Sequence, residues 1–202
     1  MFYTIGNVFA SINNRLVKRF VQYNPLGLPP NTVRVRTNDG NAPIFGIYPS
    51  YATATLVPGT SDVYDVYMSG TSFENLLRDT VNVVEVLGAN TTGIRNMCRM
   101  FRGCNSLTSV PLFDTSIVTE MSSMFEGCYK LKAFQLFDTS SVTNMNNMFY
   151  QCYNVQTGAL ALYRQASLQA TPPTYHESTF YQCGINTQTG YEELAQIPDD
   201  WK

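Results

Sequence analysis

The stretch that decides the fold runs from Met100 to Val155: "MFRGCNSLTSVPLFDTSIVTEMSSMFEGCYKLKAFQLFDTSSVTNMNNMFYQCYNV". It contains Met-Phe-x-x-Cys three times, and a shift of 24 residues superimposes the copies. Phe101, Phe125 and Phe149 coincide, as do Met97, Met121 and Met145, then Met100, Met124 and Met148. Cys104, Cys128 and Cys152 form a further column, and Leu107, Leu131 and Val155 another. One more shift back, the segment from Phe73 keeps the pattern with similar residues: Leu76 for Met100, Leu77 for Phe101, Thr80 for Cys104 and Val83 for Leu107. A last partial copy, "STFYQCG", sets Phe180 and Cys183 31 residues beyond Phe149 and Cys152, so seven residues are inserted there. Fixed-period self-similarity of this kind is the mark of a repeat architecture whose units bury their apolar faces against one another.

Within one unit, Met121, Met124, Phe125 and Cys128 fall at i, i+3, i+4 and i+7, the spacing of one face of a short helix. Thr119 stands before it as an N-cap and Gly127 near its end. Leu131, Phe134 and Leu136 follow in an extended segment, and Asp-Thr-Ser supplies turn chemistry. The fold class expected is an α/β repeat: a short leucine-rich-repeat-like solenoid, its extended segments pairing as a parallel ladder, with an N-terminal antiparallel β module and an N-terminal amphipathic helix.

The pattern "MFxGCxxLxxxxLFDTSxVTxM" resembles the repeat of the BspA-like leucine-rich-repeat family, found in bacterial surface proteins and in proteins of gut phages. The resemblance covers residues 73–156 and extends loosely into the C-terminal insertion. It implies a scaffold used for binding rather than a reaction.

The flanks differ in kind. Residues 1–31 read as an anchor: Phe9, Ile12, Leu16 and Phe20 at helical spacing beside Arg15 and Lys18, then "NPLGLPPN" as an extended linker. Residues 32–70 read as the small β module, with Asp39-Gly40 and Pro58-Gly59 as turns and Val63, Tyr64, Val66 and Tyr67 in a return strand. Residues 71–202 hold the repeats, an inserted helix near 157–170 stopped by Pro172-Pro173, and a C-terminal cap in which Trp201 packs on the closing repeat.

Composition narrows the function. The chain has 202 residues, 44% of them hydrophobic and 13% aromatic, enough for a substantial core, while only 14% are charged. A formal charge of -2 leaves no broad basic field, so nucleic acid is not an expected partner. No apolar run is long enough to span a bilayer, and the opening "MFYTIGNVFASINNRLVKRF" lacks the layout of a secretory signal.

Five cysteines, an odd number with none before Cys98, do not read as a disulfide framework. Their spacing does not suit zinc, and they read as small buried hydrophobes. Asp114 and Asp138, with Asn90 one unit earlier, could be a calcium or acid/base column, but they fall where turns must be capped. His176, the sole histidine, lies seven residues before Cys183; a Cys-dependent hydrolase is the weakest of the functional readings, since no nucleophile elbow surrounds either residue. No catalytic, cofactor or metal residue is assigned, and the chain is not expected to be an enzyme.

Recognition is the expected activity. Variable positions on the repeat surface nominate Ser109, Tyr129, Lys130, Lys132, Gln135, Tyr153 and Asn154 as partner-binding, since Tyr and Asn on a rigid scaffold suit binding. The resemblance and the missing export signal suggest a phage virion appendage, its N-terminal helix held by other virion proteins and its solenoid meeting a host-surface protein or glycan. The alternative is a bacterial cell-surface adhesion protein. A virion role also implies symmetry, and with it a homo-oligomer.

Overall fold

The computed structural model describes residues 26–45 and 52–202, together with the backbone of two short strands before them. Those strands, β1 (Phe9–Ile12) and β2 (Arg15–Lys18), pair antiparallel with Ile12 opposite Arg15. The amphipathic helix expected through Phe9, Ile12 and Leu16 is therefore overturned. Only Asn13-Asn14 separates the strands, and two-residue links of this type favour hairpins over helical continuation. Phe20, the fourth residue of the expected stripe, lies outside the described residues.

Four longer strands build one antiparallel sheet: β3 (Thr32–Thr37), β4 (Ala52–Leu56), β5 (Val63–Met68) and β6 (Val83–Asn90), in the order β4-β5-β3-β6. The β4–β5 link turns at Pro58-Gly59, where Thr60 Oγ1 donates to the Val57 carbonyl at 2.7 Å. Val33, Val35 and Val66 alternate onto the buried face. On the other face Arg34 grips Asp65 with two hydrogen bonds of 2.6 and 2.8 Å, which raise the guanidinium pKa still further. The sheet takes β6 from the segment that the repeat pattern assigns to its first copy.

The expected α/β leucine-rich-repeat-like solenoid is also corrected. Among the described residues the regular structure is the β1–β2 pair, this small antiparallel sheet and two short α-helices, α1 (Ala159–Leu168) and α2 (Gln188–Ala195), followed by a 3-10 turn at Asp199–Trp201. The Met-Phe-x-x-Cys segments are turns, not helices. Each has two residues with left-handed φ four positions apart: Asn75 and Asp79, Arg99 and Gly103, Ser123 and Gly127, Asn147 and Gln151, Ser178 and Gln182. A left-handed residue every fourth position stops i→i+4 bonding before one helical turn is complete. Nor do the extended segments form strands. Single parallel bridges join Glu85 to Ser109, Ser109 to Ala133 and Ala133 to Thr157, with Pro111 and the Asp-Thr-Ser turns ending the pairing.

The backbone donors freed from helical bonding reach the next unit. The N–H groups of Met97, Arg99, Phe101 and Gly103 donate to the carbonyls of Glu120, Ser122, Met124 and Glu126. Four equivalent bonds run from residues 73–79 to 96–102, four from 121–127 to 144–150, and four from 145–151 to 175–181, all between 2.6 and 3.0 Å. The alternate residues close i→i−3 turns, as Met100 does on Met97 and Cys104 on Phe101. Every second N–H thus points along the column and every other one stays within the unit. Thr119, expected as an N-cap, instead donates its N–H and hydroxyl to the Arg95 carbonyl.

This register puts like side chains over like. Phe101, Phe125, Phe149 and Phe180 stack at centroid separations of 5.3, 5.2 and 6.0 Å, and Phe113 lies over Phe137 at 5.9 Å. All are fully or almost fully buried. At the far end α1 starts at Ala159 rather than Thr157, because Thr157 bridges to Ala133 and Gly158 is left-handed. Ala159, Leu162 and Ala166 face inward. Glu193 on α2 accepts the N–H groups of Gly158 and Leu160 at 3.0 and 3.1 Å, capping α1 from outside its own sequence. Trp201 closes the column: its carbonyl accepts the Phe180 N–H at 2.8 Å, and its ring stacks on Phe180 and on His176 at 6.3 and 4.3 Å.

Two stability predictions follow from this geometry. Phe125→Ala empties the middle of the ring column and should cost about 3–5 kcal/mol in denaturant unfolding. Gly127→Ala should cost about 1–2 kcal/mol, whereas Gln151→Gly, at the equivalent left-handed position, should gain up to about 1 kcal/mol. Equal effects of the last two substitutions would show that backbone conformation is not the cause.

Candidate binding surface

Each surface position inherits its place from the column it occupies. After each buried cysteine the chain turns outward, and Tyr129 and Tyr153 emerge one above the other, rings 5.4 Å apart and 9° from parallel. Tyr150 and Tyr181 form a second stacked pair at 4.8 Å. The two pairs are neighbours: partial burial, and then the proximity of Tyr129, Tyr150 and Tyr181, raise the Tyr153 phenol above its ordinary pKa. These rings lean on one another, so their orientation is fixed before any ligand arrives.

Around the corner from Tyr129 lies an open groove of about 360 Å³ lined by Thr108, Lys130, Lys132, Asn154, Gln156 and Thr187. Backbone bonds hold its floor: Lys132 N–H donates to the Thr108 carbonyl and Gln156 N–H to the Lys132 carbonyl. Asn154 Nδ2 donates to the Tyr129 carbonyl at 2.6 Å, tying the groove to the tyrosine patch. Thr108 and Thr187 spend their hydroxyl protons on the carbonyls of Val84 and Val155. Lys130 and Lys132 are exposed, and among the described residues neither has a carboxylate within 4.0 Å.

The structure therefore brings together Lys130, Lys132 and Asn154 in one groove, with Tyr129 and Tyr153 beside it. Ser109 sits on the adjacent bridge column, exposed and paired to Glu85 and Ala133, and Gln135 is exposed beyond Phe134, outside the groove. Sequence reasoning did not nominate Thr108, Gln156, Thr187, Tyr150 or Tyr181. The 24-residue shift applied to Lys132 reaches both Thr108 and Gln156. Thr187 arrives by way of the insertion and leaves no such trace.

The remaining candidates are accounted for by structural bonds. Cys104, Cys128 and Cys152 are fully buried, and each thiol donates to a carbonyl one unit back: Leu77, Phe101 and Phe125, at 2.9, 3.1 and 3.1 Å. Burial pushes the Cys104 thiol up to about 12 and raises Cys128, Cys152 and Cys183 as well. Asp114 accepts the N–H and hydroxyl of Ser116, Asp138 the N–H of Ser140, and Asn90 the N–H and hydroxyl of Thr92, so this column caps turns. Among the described residues no three His, Cys, Asp or Glu side chains gather as a metal site. His176 is stacked on Trp201, and Cys183 is buried behind Phe180 with its thiol raised.

Residues 69–183, more than half of the chain, match the family described as a Mycoplasma protein of unknown function, DUF285. The chain belongs to this family. DUF285 is a repeat family of the BspA-like kind that the sequence resembles. No curated protein and no solved structure matches the chain. Among the described residues no helix is long and apolar enough to cross a membrane.

The buried thiols generate a chemical prediction. All five cysteines have raised pKa values, and four of them have essentially no solvent access, so these four stay protonated as pH rises through the range in which an ordinary thiol ionises. In native protein at pH 8, a thiol-reactive reagent should modify at most Cys98, which is buried but keeps 7% exposure and accepts a hydrogen bond from Ser122 Oγ. All five should react in denaturant. Rapid native labelling of Cys183 would reopen the nucleophile reading.

Proposed function

We propose that this DUF285 protein is a non-catalytic recognition module, which presents a fixed array of side chains to a surface partner. The observation that carries this reading is the juxtaposition of two stacked tyrosine pairs with a groove holding two unpaired lysines. Rings immobilised by their neighbours lose little entropy on contact, and exposed ammonium groups without internal partners are free to meet an external one. The thiols and the histidine, the groups a hydrolase would use, are engaged in packing and backbone bonds, which supports a role without chemistry.

Two settings suit such a module. The kinship with BspA-like repeats and the Mycoplasma in the family's description favour display on a bacterial cell surface, for adhesion. The resemblance to gut-phage proteins supports the other: a virion appendage that joins the particle through residues preceding the sheet and turns the tyrosine-lysine face toward a host protein or glycan.

Mass spectrometry of purified cell envelopes and of phage particles separates these settings, because the chain should be enriched in one fraction. Adsorption of the purified protein to cells should fall by about tenfold or more in a Tyr129→Ala/Tyr153→Ala variant that keeps its melting temperature, since two interface aromatics commonly carry that much. Undiminished adsorption by that variant would remove the tyrosine face from the proposal.

A further inference from the structure

The groove carries information about what it would hold, and the inference drawn from it rests on the recognition reading above. Its only formal charges are the ammonium groups of Lys130, in the tight turn that follows Cys128, and Lys132, just past that turn. Lys130, Lys132 and Gln156 make no side-chain hydrogen bond among the described residues, so their donors are uncommitted. Thr108 and Thr187, by contrast, have hydroxyl protons fixed on backbone carbonyls, and Thr187 Oγ1 also accepts the Gly190 N–H, so they offer only their remaining acceptor lone pairs. The groove thus offers two cationic donors, an amide with both donor and acceptor, and hydroxyl acceptors, over an open floor.

Three classes of anionic ligand can be compared with that inventory. A nucleic acid needs a run of phosphate contacts, and two lysines on a chain of net charge -2 do not supply one. An acidic peptide needs an apolar pocket for an anchoring side chain, and no large apolar residue lines this groove. A sugar polymer with occasional carboxylates matches on both counts. Its hydroxyls are donors and acceptors suited to Gln156, Asn154 and the threonines. Its sparse charge suits two separated ammonium groups, and its apolar ring faces suit the exposed side of Tyr129, which is 41% accessible.

We propose that the Lys130–Lys132 groove, with Tyr129 at its rim, binds a carboxylated polysaccharide. No covalent step is involved. The carboxylates pair with the two ammonium groups, and adjoining hydroxyls bond the amides and threonine oxygens. Attraction of this kind in an open groove weakens as salt rises.

The test uses the whole chain immobilised on a biosensor, with polygalacturonate as the carboxylated probe, dextran as the neutral one, and polyphosphate and poly-glutamate as anions of other classes. Polygalacturonate should bind best, and Lys130→Gln/Lys132→Gln should weaken it about tenfold or more while leaving the melting temperature unchanged. Arg164→Gln, which removes a cation outside the groove, should have no effect. Affinity should fall between low and physiological salt. Equal binding of dextran, tighter binding of polyphosphate or poly-glutamate, or an unaltered affinity in the double lysine variant would each overturn the assignment. If no polymer binds although the wild-type chain adsorbs to cells and Tyr129→Ala/Tyr153→Ala does not, the carboxylated-glycan assignment fails and the recognition reading stands. Failure of adsorption by the wild type would overturn the recognition reading itself.

Discussion

A backbone N–H withdrawn from water must find an acceptor, and in this protein that requirement organises everything from Phe73 to Trp201. Left-handed residues at two positions in each unit turn alternate N–H groups out of the unit. They donate to the carbonyls of the unit after it, and the resulting four bonds set the distance and register between neighbours. Aromatic stacking, the cysteine thiol bonds and the threonine bonds from Thr91 and Thr115 to the carbonyls of Asp114 and Asp138 all follow from a register the backbone has already chosen. The rings and thiols fill the interior; the amides determine its spacing.

That hierarchy explains which parts of the structure were legible in the sequence. The columns were: a period of 24 residues with Phe on Phe and Cys on Cys identifies the buried side chains whatever the backbone does between them. The local conformation was not. Apolar residues at i, i+3, i+4 and i+7 mark one face of a helix, but a coil of tight turns with two left-handed residues presents the same spacing inward. The distinguishing signal was present in two columns, Gly103 with Gly127 and Asn75 with Asn147, whose residues tolerate positive φ better than most. In the same way Phe9, Ile12 and Leu16 matched a helical stripe, while the backbone pairs Ile12 with Arg15 across two antiparallel strands.

The candidate surface was partly legible for a related reason. Positions that the column rule leaves free to vary can carry partner contacts, and this reasoning found Lys130, Lys132, Asn154 and the Tyr129–Tyr153 pair. It could not find Thr187, which enters from α2 across a seven-residue insertion, nor the Tyr150–Tyr181 pair, whose second member lies beyond the same break. Period-based reasoning reads only what the period brings together. Wherever the chain departs from its interval, proximity depends on how α1 and α2 pack, and Glu193 capping α1 is a contact that no local pattern announces.

The Phe180–Trp201 bond has a consequence for how such a chain can change length. The interfaces between internal units are alike, so a duplication of one whole unit in the middle of the gene creates only junctions the fold already knows how to make. Two junctions are different: β6 fastens the first unit to the sheet, and the Phe180 N–H is taken by the Trp201 carbonyl instead of by a further unit. Growth by tandem copying is therefore permitted between these two junctions. Related genes should differ by whole numbers of internal units while keeping the β6 junction and the Phe180–Trp201 bond.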